Sequence, residues 1–402
     1  MESIYGPVTD WATDFDHADP AYNEQVHQIW DDLRDTCPVA HSDRYGGTWL
    51  PVTHADVTAI AYDTDHFTSR GVVVSTLRPP EPAPIGGAPP ITSDPPFHHD
   101  ARRILLPAFG PKKIDPWADE VRRLCNQLLD EMGDADVVDA ARQYAQHIPV
   151  NVIARMLGFP LEDSDLFRQF VHEVLESVNA SPEERQANSD RLDAYIDMQV
   201  ADHAGTPADH DLTSFLMHAE IFGEKLSPTH VRGTIILLLI AGIDTTWSAI
   251  GSSLWHLATH PEDRQRLVDE PELMPTAIEE FLRAYAPVTM ARLVAQDHEF
   301  NGHAMKVDDW VLLPFPAANR DPAAFDRADE VLIDREVNRH SAFGLGIHRC
   351  LGSNLARLEL RIAVEEFIRR FPSFELAGDE VRWSRGQIRG PRELPVRILE
   401  RA

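Results

Sequence analysis

The sequence predicts a mainly α-helical fold with a small β region. Apolar residues recur at helical spacing over residues 121–132 and again over residues 354–371, which is the pattern of a helix with one buried face. A longer helical pattern runs from Ser227 to about His260. Strand-like runs are few and short, so we expect helices to build most of the core.

The longest helical segment has a start signal and a stop signal. Ser227 is a favourable N-cap and Pro228 suits the first helical turn, while Pro261 follows the end of the pattern. About 33 residues in a helix span about 50 Å. Because residues 235–243 are apolar on most sides, we expect this helix to run through the core.

The predicted β region has two short parts. Residues 48–52 form one strand candidate. Residues 299–300, the turn Asn301–Gly302 and residues 310–313 predict a hairpin region, because Asn-Gly favours a tight turn.

A proline-rich segment over residues 69–96 stands apart from the helical patterns. It holds eight prolines, which remove hydrogen-bond donors and block helix formation. A linker between domains is one interpretation. Scattered apolar residues favour the other, a lid over a binding site, since long loops inside compact domains are usually functional.

The charge balance excludes several classes of partner. The chain of 402 residues has 37 basic and 65 acidic residues and a net charge of −28, which repels nucleic-acid phosphates and anionic membrane surfaces. The apolar stretch at residues 235–243 is shorter than the roughly 20 residues of a membrane span. Residues 1–20 contain no signal-like apolar run. We therefore expect a cytoplasmic protein that binds neither nucleic acid nor membrane.

One of the three cysteines has unusual neighbours. Cys350 lies in the segment FGLGIHRCLG, residues 343–352, hereafter the cysteine loop. Its glycines permit sharp turns and close approach of a flat ligand, and a helical pattern begins just after it, where a helix N-terminus stabilises a thiolate. A single thiolate suits one metal bond. A buried structural cysteine in a glycine-rich turn is the alternative.

A second motif, AGIDTT, lies within the long apolar helix at residues 241–246. Asp244 in an apolar helix is costly unless it is paired or takes part in chemistry. Thr245 can bond back to the Ala241 carbonyl and bend the helix, which Gly242 permits. Such an opening leaves room for oxygen and water. The alternative is a structural kink with a paired aspartate.

Charged residues at helical spacing accompany these motifs. Glu280 and Arg283 are three positions apart and His98 and Arg102 are four apart, so each pair shares one helical face. An isolated pair of this kind is usually solvated and contributes little to stability.

Together these segments resemble the motifs of the cytochrome P450 superfamily. FGxGxHxCxG matches the cysteine loop at all six specified positions, AGxDTT matches residues 241–246, and ExxR and HxxxR match the two charged pairs. The resemblance extends from residues 48–52 to Pro395. It implies a cytochrome P450 fold with one domain over residues 1–402, and a haem b cofactor between the long central helix and the cysteine loop.

The resemblance also implies a role for each motif residue. Cys350 would be the axial metal ligand of the haem, where a thiolate promotes cleavage of dioxygen, and Phe343 would pack beside it. Thr245 and Asp244 would be catalytic, Thr245 by hydrogen-bonding dioxygen or its water and Asp244 by relaying protons. The remaining residues divide into contacts to the haem propionates, namely His98, Arg102, Arg292 and His348, and a structural ionic network, namely Glu280, Arg283 and Arg335.

A further set would line the substrate pocket, by position in the family. Its members are mostly apolar, as in most ligand sites, and core packing is the alternative for each. The set comprises Val72, Val73, Val74, Leu237, Ile240, Ala241, Val288, Thr289, Met290 and Ile388. Arg70 or Arg78 is a candidate anchor for a substrate carboxylate.

The implied reaction is insertion of one oxygen atom of dioxygen into a small apolar organic substrate. No flavin or nicotinamide fingerprint appears, so a separate ferredoxin and ferredoxin reductase would supply the electrons. An acidic ferredoxin needs a basic patch near Cys350, for which the candidates are Arg103, Lys112, Lys113, Arg349 and Arg361. Two alternatives remain open: a peroxide-dependent peroxygenase on the same fold, and a non-catalytic haem sensor or binding protein.

Overall fold

The computed structural model describes residues 5–76, 78–79, 87–176, 180–378 and 380–402. Within these ranges helices predominate and the strands are short, which confirms the predicted fold class. The helices are α1 (Pro20–Thr36), α2 (His54–Tyr62), α3 (Phe97–Leu105), α4 (Pro111–Ile114), α5 (Ala118–Glu131), α6 (His147–Leu157), α7 (Ser164–Leu175), α8 (Pro182–Asp202), α9 (Leu212–His218), α10 (Pro228–Thr259), α11 (Pro261–Asp269), α12 (Met274–Ala284), α13 (Phe315–Ala318) and α14 (Ser353–Arg370).

Short strands form several small sheets. They are β1 (Val39–Ser42), β2 (Thr48–Pro51), β3 (Phe67–Thr68), β4 (Val137–Asp139), β5 (Glu220–Ile221), β6 (Glu224–Lys225), β7 (Thr289–Val294), β8 (His298–Phe300), β9 (His303–Met305), β10 (Trp310–Pro314), β11 (Ser373–Leu376), β12 (Arg382–Trp383), β13 (Pro391–Glu393) and β14 (Pro395–Glu400). The largest sheet has the order β1-β2-β10-β7-β3, with β10 parallel to β2 and antiparallel to β7.

The hairpin prediction was half right. The Asn301–Gly302 turn joins β8 to β9, and His298 pairs with Met305. Residues 310–313 do not belong to this hairpin, because β10 pairs with β7 in the main sheet. Every residue of β10 is buried, and a strand buried on both faces belongs inside a covered sheet rather than at an exposed hairpin.

The predicted long helix is α10, which runs 32 residues through the middle of the helical core. Ser227 caps it as expected, since its side chain accepts a hydrogen bond from the His230 N–H. α10 contacts α6, α7, α8 and α14. By length and composition it could cross a membrane, yet 72% of its most apolar window is buried inside the protein. That burial fits a core helix.

The cysteine loop is clamped between α2 and α14. Its short 3-10 turn, Gly346–His348, leads into the first residue of α14, Ser353. Gly346 has φ +66°, and a Cβ there would lie 2.3 Å from the Ala61 carbonyl oxygen at the end of α2. Only glycine combines this left-handed backbone with so close a contact.

The C-terminal segment presses on α10 from another side. A Cβ on Gly390 would lie 2.3 Å from the Ser248 Cβ, and Gly251 meets the Pro391 ring at 3.1 Å. Two glycines, one on each partner, therefore bring β13 into direct contact with the central helix.

Candidate functional site

An apolar cavity of about 380 Å³ lies beside the middle of α10. Thr245 and Thr246 of α10 line it, and so do Phe343, His348 and Cys350 of the cysteine loop. Its volume is in the usual range for small-molecule pockets. The two sequence motifs, which lie about a hundred residues apart, therefore meet at one cavity.

Cys350 is held by its own loop. Its backbone N–H donates to the Phe343 carbonyl at 2.7 Å. Burial raises the pKa of the thiol, against the opposing effects of the Gly352 N–H and of Arg102. The N-terminus of α14 at Ser353 therefore does not offset the effect of burial on the thiol pKa. The thiolate form that the sequence predicts requires a cation bound at the sulfur.

Two histidines meet at the end of the cavity nearest the proline-rich segment. The rings of His98 and His348 are 4.4 Å apart, and the Ser69 Oγ lies 2.8 Å from the His348 Nε2. Burial lowers the pKa of His98 to about 4 and that of His348 to about 2. Both are neutral at pH 7, and within the described ranges neither ring nitrogen of His98 has a partner.

Two arginines complete this group. Arg292 is a buried residue that lines the cavity, and burial lowers its pKa to about 10. Among the described residues, the Arg292 side chain forms one hydrogen bond, which it donates to the Ala291 carbonyl at 2.7 Å. Arg102 also lines the cavity and donates to the Arg349 carbonyl. Arg292 is buried and Arg102 half-buried, and guanidinium groups so placed without a carboxylate partner among the described residues call for an anion. The unpaired His98 N–H calls for an acceptor as well.

The hydrogen bond expected within the long-helix motif is present, and α10 continues unbroken through the motif. The Thr245 Oγ1 donates to the Ala241 carbonyl at 2.8 Å. Asp244 is fully buried beside it and forms an ion pair with Arg392, with 2.6 Å between Oδ1 and Nη2. Burial raises the pKa of Asp244 to about 6, although Arg392 acts to lower it.

Arg392 extends this pair towards the surface. Its Nε donates to the Glu176 Oε1 at 2.7 Å, and its Nη1 donates to the Ser248 Oγ at 3.2 Å. His172, whose side chain is 64% exposed, lies 3.6 Å from the other Glu176 oxygen. A chain of polar groups therefore leads from exposed His172 to Asp244. Sequence reasoning missed Arg392 and Glu176, because neither belongs to a local motif.

The predicted ionic network is present and buried. Arg283 donates two hydrogen bonds to Glu280, at 2.9 and 2.8 Å, and Arg335 donates to the same carboxylate at 2.9 Å. Asn338, which the sequence did not single out, adds a fourth hydrogen bond at 3.0 Å. Arg283 and Glu280 are 0% exposed, so neither is a solvated surface charge.

A neighbouring pair supports the cysteine loop directly. Glu279 accepts two hydrogen bonds from Arg357, at 2.6 and 2.8 Å. The Arg357 guanidinium lies 4.4 Å from the centre of the Phe343 ring. Burial alone would raise the pKa of Glu279, but Arg357 and His340 lower it to about 2.

Most of the predicted pocket residues line the cavity: Val72, Val73, Leu237, Ile240, Ala241, Val288, Thr289, Met290 and Ile388. Val74 is the exception. It is fully buried in the core cluster around Trp310, and its N–H donates to the Gln387 side chain. Gln387 was not predicted, although it lines the cavity and donates to the Thr289 carbonyl at 2.8 Å.

The proline-rich segment contributes part of the cavity wall. Ala88, Pro90, Ile91 and Thr92 line it together with the two valines. Residues 77 and 80–86, which include the apolar Leu77 and Ile85 of the predicted lid, lie outside the described residues.

The two candidate carboxylate anchors are used elsewhere. Arg70 pairs with Asp308, and Arg78 donates to the Asp308 and Tyr45 carbonyls at 2.6 and 2.8 Å. Neither lines the cavity among its described residues, so the prediction of a substrate anchor at these positions was wrong. Their guanidinium groups stabilise loop backbone instead.

The cavity also contains a buried acid that no motif indicated. Glu359 on α14 lines the cavity wall, is 2% exposed, and its Oε2 has no partner in the described part of the chain. Burial raises its pKa well above the ordinary value. Burial therefore favours the neutral form of Glu359.

Comparison with known proteins agrees with this geometry. The cytochrome P450 family model matches residues 52–385. The chain is 33% identical to mycinamicin IV hydroxylase/epoxidase of Micromonospora griseorubida, over 91% of this chain and 94% of that protein. It is 34% identical to the polyketide biosynthesis cytochrome P450 PksS of Bacillus subtilis, over 77% of each chain.

Solved structures give the same result. The structure of CYP109E1 from Bacillus megaterium in complex with testosterone has a TM-score of 0.86 and 30% identity, covering 94% of this chain and 99% of that one. Family members of this kind hold a haem, use dioxygen and redox partners, and act on organic substrates. With a cysteine and a threonine at the predicted motif positions on one cavity, the chain belongs to the cytochrome P450 family and is a bacterial P450 monooxygenase.

Proposed function

We propose that the protein is a cytoplasmic, haem b-dependent monooxygenase that oxidises an apolar small molecule with electrons from a ferredoxin and its reductase. One observation carries this proposal. Cys350 and Thr245 line the same apolar cavity, and Asp244 is buried beside Thr245. The proposed metal ligand, hydroxyl and proton source would thus lie around a space suited to an apolar substrate.

The residues around the cavity fit a haem. Cys350 would bind the iron, with Phe343 packed beside it. His98, Arg102, Arg292 and His348 would hold the propionates, which would accept a hydrogen bond from the unpaired His98 N–H and offset the buried Arg292 charge. When bound, the haem supplies the redox chemistry that activates dioxygen.

The proton route is formed by the chain's own residues. The Thr245 hydroxyl, which now donates to Ala241, can turn to hydrogen-bond dioxygen or a water molecule. Asp244, with a pKa of about 6, exchanges protons readily near neutral pH. Arg392, whose guanidinium stays protonated, links Asp244 electrostatically to Glu176 and, through it, to exposed His172.

The substrate is inferred from the cavity wall. The lining is dominated by aliphatic side chains from α10, β7 and the proline-rich segment, with no unpaired charge at the predicted anchor positions. Relatives and neighbours are named as a mycinamicin IV hydroxylase and as complexes with testosterone and erythromycin B. We infer a terpenoid, steroid, aromatic or macrocyclic substrate.

The test combines a spectrum with product analysis. A ligand screen read by the Soret shift identifies binders, and each hit is then tested for product with ferredoxin, reductase and dioxygen. Thr245→Ala should lower product formed per electron pair by at least about tenfold, because proton delivery contributes rate factors of this size or larger. Thr259→Ala on the same helix, whose hydroxyl bonds to Trp255, is the matched control and should keep wild-type coupling.

Each alternative has its own outcome. A peroxygenase would form product from peroxide equally well in wild type and in Thr245→Ala. A sensor would show ligand-induced Soret shifts without product. The reduced carbon monoxide complex should absorb at the thiolate-ligated position, and Cys350→Ala should abolish that band. Retention of the band in this variant would contradict the assignment of the iron ligand.

A further inference from the structure

Away from the cavity, three potential metal ligands meet where α2 turns into β3. Asp63, His66 and His298 each place a ligand atom within 4.8 Å of the others. The His66 Nδ1 lies 2.7 Å from the Asp63 Oδ2. The rings of His66 and His298 stack with their centroids 3.9 Å apart. Among the described residues, these three side chains form a cluster whose nitrogen and oxygen atoms are close enough together to bind one metal ion.

The backbone on both sides of the cluster is fixed. Asp63 ends α2, and its Oδ1 accepts hydrogen bonds from the N–H groups of Asp65 and His66 at 3.1 and 3.0 Å. The His66 carbonyl accepts a hydrogen bond from the Ala295 N–H at 2.7 Å, close to His298 in the chain. The ligands therefore come from two segments already joined by hydrogen bonds, which reduces the entropy that binding must overcome.

We propose that Asp63, His66 and His298 bind a divalent transition-metal ion of the zinc class, with water completing the coordination. Two imidazoles and one carboxylate are ligands that zinc prefers, and three protein ligands plus water form a common tetrahedral arrangement. Zinc bonds of about 2.0–2.2 Å place tetrahedral ligands about 3.4 Å apart. Reaching this spacing exchanges the His66–Asp63 hydrogen bond for bonds to the ion, and the two side chains, each 32% exposed, have room on the solvent side to rotate.

A bound ion would restrain the segment between α2 and β3, which carries Asp63 and His66. This segment touches the cysteine loop at both ends: the Ala61 carbonyl lies against Gly346, and the Ser69 Oγ lies 2.8 Å from the His348 Nε2. Fixing Asp63 and His66 to β8 would therefore restrain the outer support of the cysteine loop. The site is separate from the cavity, and its existence does not depend on the proposed substrate or redox partner.

The experiment measures zinc binding to the haem-loaded protein after removal of metals by a chelator. Calorimetric titration with zinc chloride should show one site per chain that magnesium chloride does not fill, because magnesium prefers an all-oxygen octahedral shell. His298→Gln and His66→Gln should each weaken this site by at least about tenfold, because even the loss of a group that only orients a ligand costs that much. His210→Gln, whose side chain is 68% exposed, controls for surface histidines.

A second measurement keeps the proposal testable if a variant folds poorly. Zinc should raise the melting temperature of wild type and of His210→Gln, since an ion that binds only the folded state stabilises it, and should leave His298→Gln unchanged. The Soret spectrum of each variant reports whether the haem site is intact. Equal zinc affinity in wild type and His298→Gln, or no zinc-dependent rise in wild type, would overturn the proposal.

Discussion

Asp244 has the environment of a proton-exchanging group because of one distant residue. Alone, a fully buried carboxyl group would be neutral over most of the physiological range. The Arg392 guanidinium at 2.6 Å opposes this effect, and the pKa of Asp244 lies at about 6. Burial and Arg392, with smaller effects from Glu176 and His172, therefore set the protonation of Asp244.

Replacing Arg392 should move that balance. In Arg392→Gln the carboxyl group of Asp244 loses its cation, so its pKa should rise by about one unit or more. The pH midpoint of coupled product formation should move upward by the same amount, measured as a pH profile with saturating reductase. Arg382→Gln, which removes an arginine with a 62% exposed side chain paired to Glu393, should leave the midpoint in place.

Gly346 gives a second prediction at this scale. Gly346→Ala must accommodate a left-handed φ and a Cβ 2.3 Å from the Ala61 carbonyl, so it should cost about 2 kcal/mol or more of unfolding free energy and weaken haem retention. Urea unfolding and haem transfer to apomyoglobin measure the two effects. Gly110→Ala meets nothing closer than 3.8 Å at an ordinary φ and should behave as wild type.

At the scale of elements, one ion pair joins α12 to α14 beside the cysteine loop. Glu279 of α12 binds Arg357 of α14, which packs over Phe343. Glu280, one residue later, holds Arg283 and Arg335. Glu279 and Glu280 thus connect α12 to α14 and to the segment of Arg335, on the side of the cavity where Cys350 lies.

The Glu279 contact should make stability depend on pH. Its pKa lies at about 2 in the folded protein against an ordinary 4.5, so its contribution is present above pH 4.5 and is lost as pH falls towards 2. Glu279→Gln should cost about 2 kcal/mol at pH 7, after allowance for partial exposure. The gap from wild type should narrow below pH 4.5, as urea unfolding would show.

An exposed carboxylate provides the control for this prediction. Glu224→Gln in β6 changes the same functional group at an exposed position, and its effect on unfolding should be small at every pH. A gap for Glu279→Gln that stayed constant down to pH 3.5 would contradict the assignment.

Elements with strong local signals were predictable, and those that depend on pairing were not. α10 has a cap, a proline and an apolar run in its own sequence, so its bounds were predicted closely. The location of β10 depended on β7 and β2, to which it is hydrogen-bonded. Nothing in residues 310–313 themselves distinguishes that sheet from a local hairpin.

At the scale of the whole molecule, the acidic surface limits where an acidic partner can dock. The net charge is −28, yet Lys112, Lys113 and Arg349 are exposed near the cysteine loop and α14. The two other candidates are partly neutralised, since Arg103 pairs with Asp100 and Arg361 with Glu365. We infer that the first three residues form the attractive part of the surface.

Charge reversal should therefore slow electron delivery. Lys113→Glu should reduce the rate of ferredoxin-driven reduction severalfold at low salt, and the difference should shrink at high salt because screening weakens steering. Stopped-flow reduction measures this rate. Lys225→Glu makes the same charge change outside this set and should have little effect. Equal rates for the two variants would exclude the proposed docking surface.

The candidate site was predictable where motifs lie within one helix or loop. Cys350, Thr245 and the Glu280–Arg283 pair each belong to a short pattern. Arg392 and Glu176 act through contacts made only after folding, and Glu359 reaches the cavity only in the folded chain. No local pattern identifies the three. The cofactor contacts, the catalytic roles and the single domain over residues 1–402 stay predictions.

The contact of β13 with α10 has a consequence for hybrid proteins. The C-terminal strands and the central helix are matched in charge by the ion pair of Arg392 with Asp244. They are matched in shape by the close contact of Gly390 with Ser248. A chimera that takes its final strands from a relative would combine a central helix and C-terminal strands that evolved in different proteins. Crossovers that take the central helix and the C-terminal strands from the same parent should give active hybrids more often than crossovers that take them from different parents.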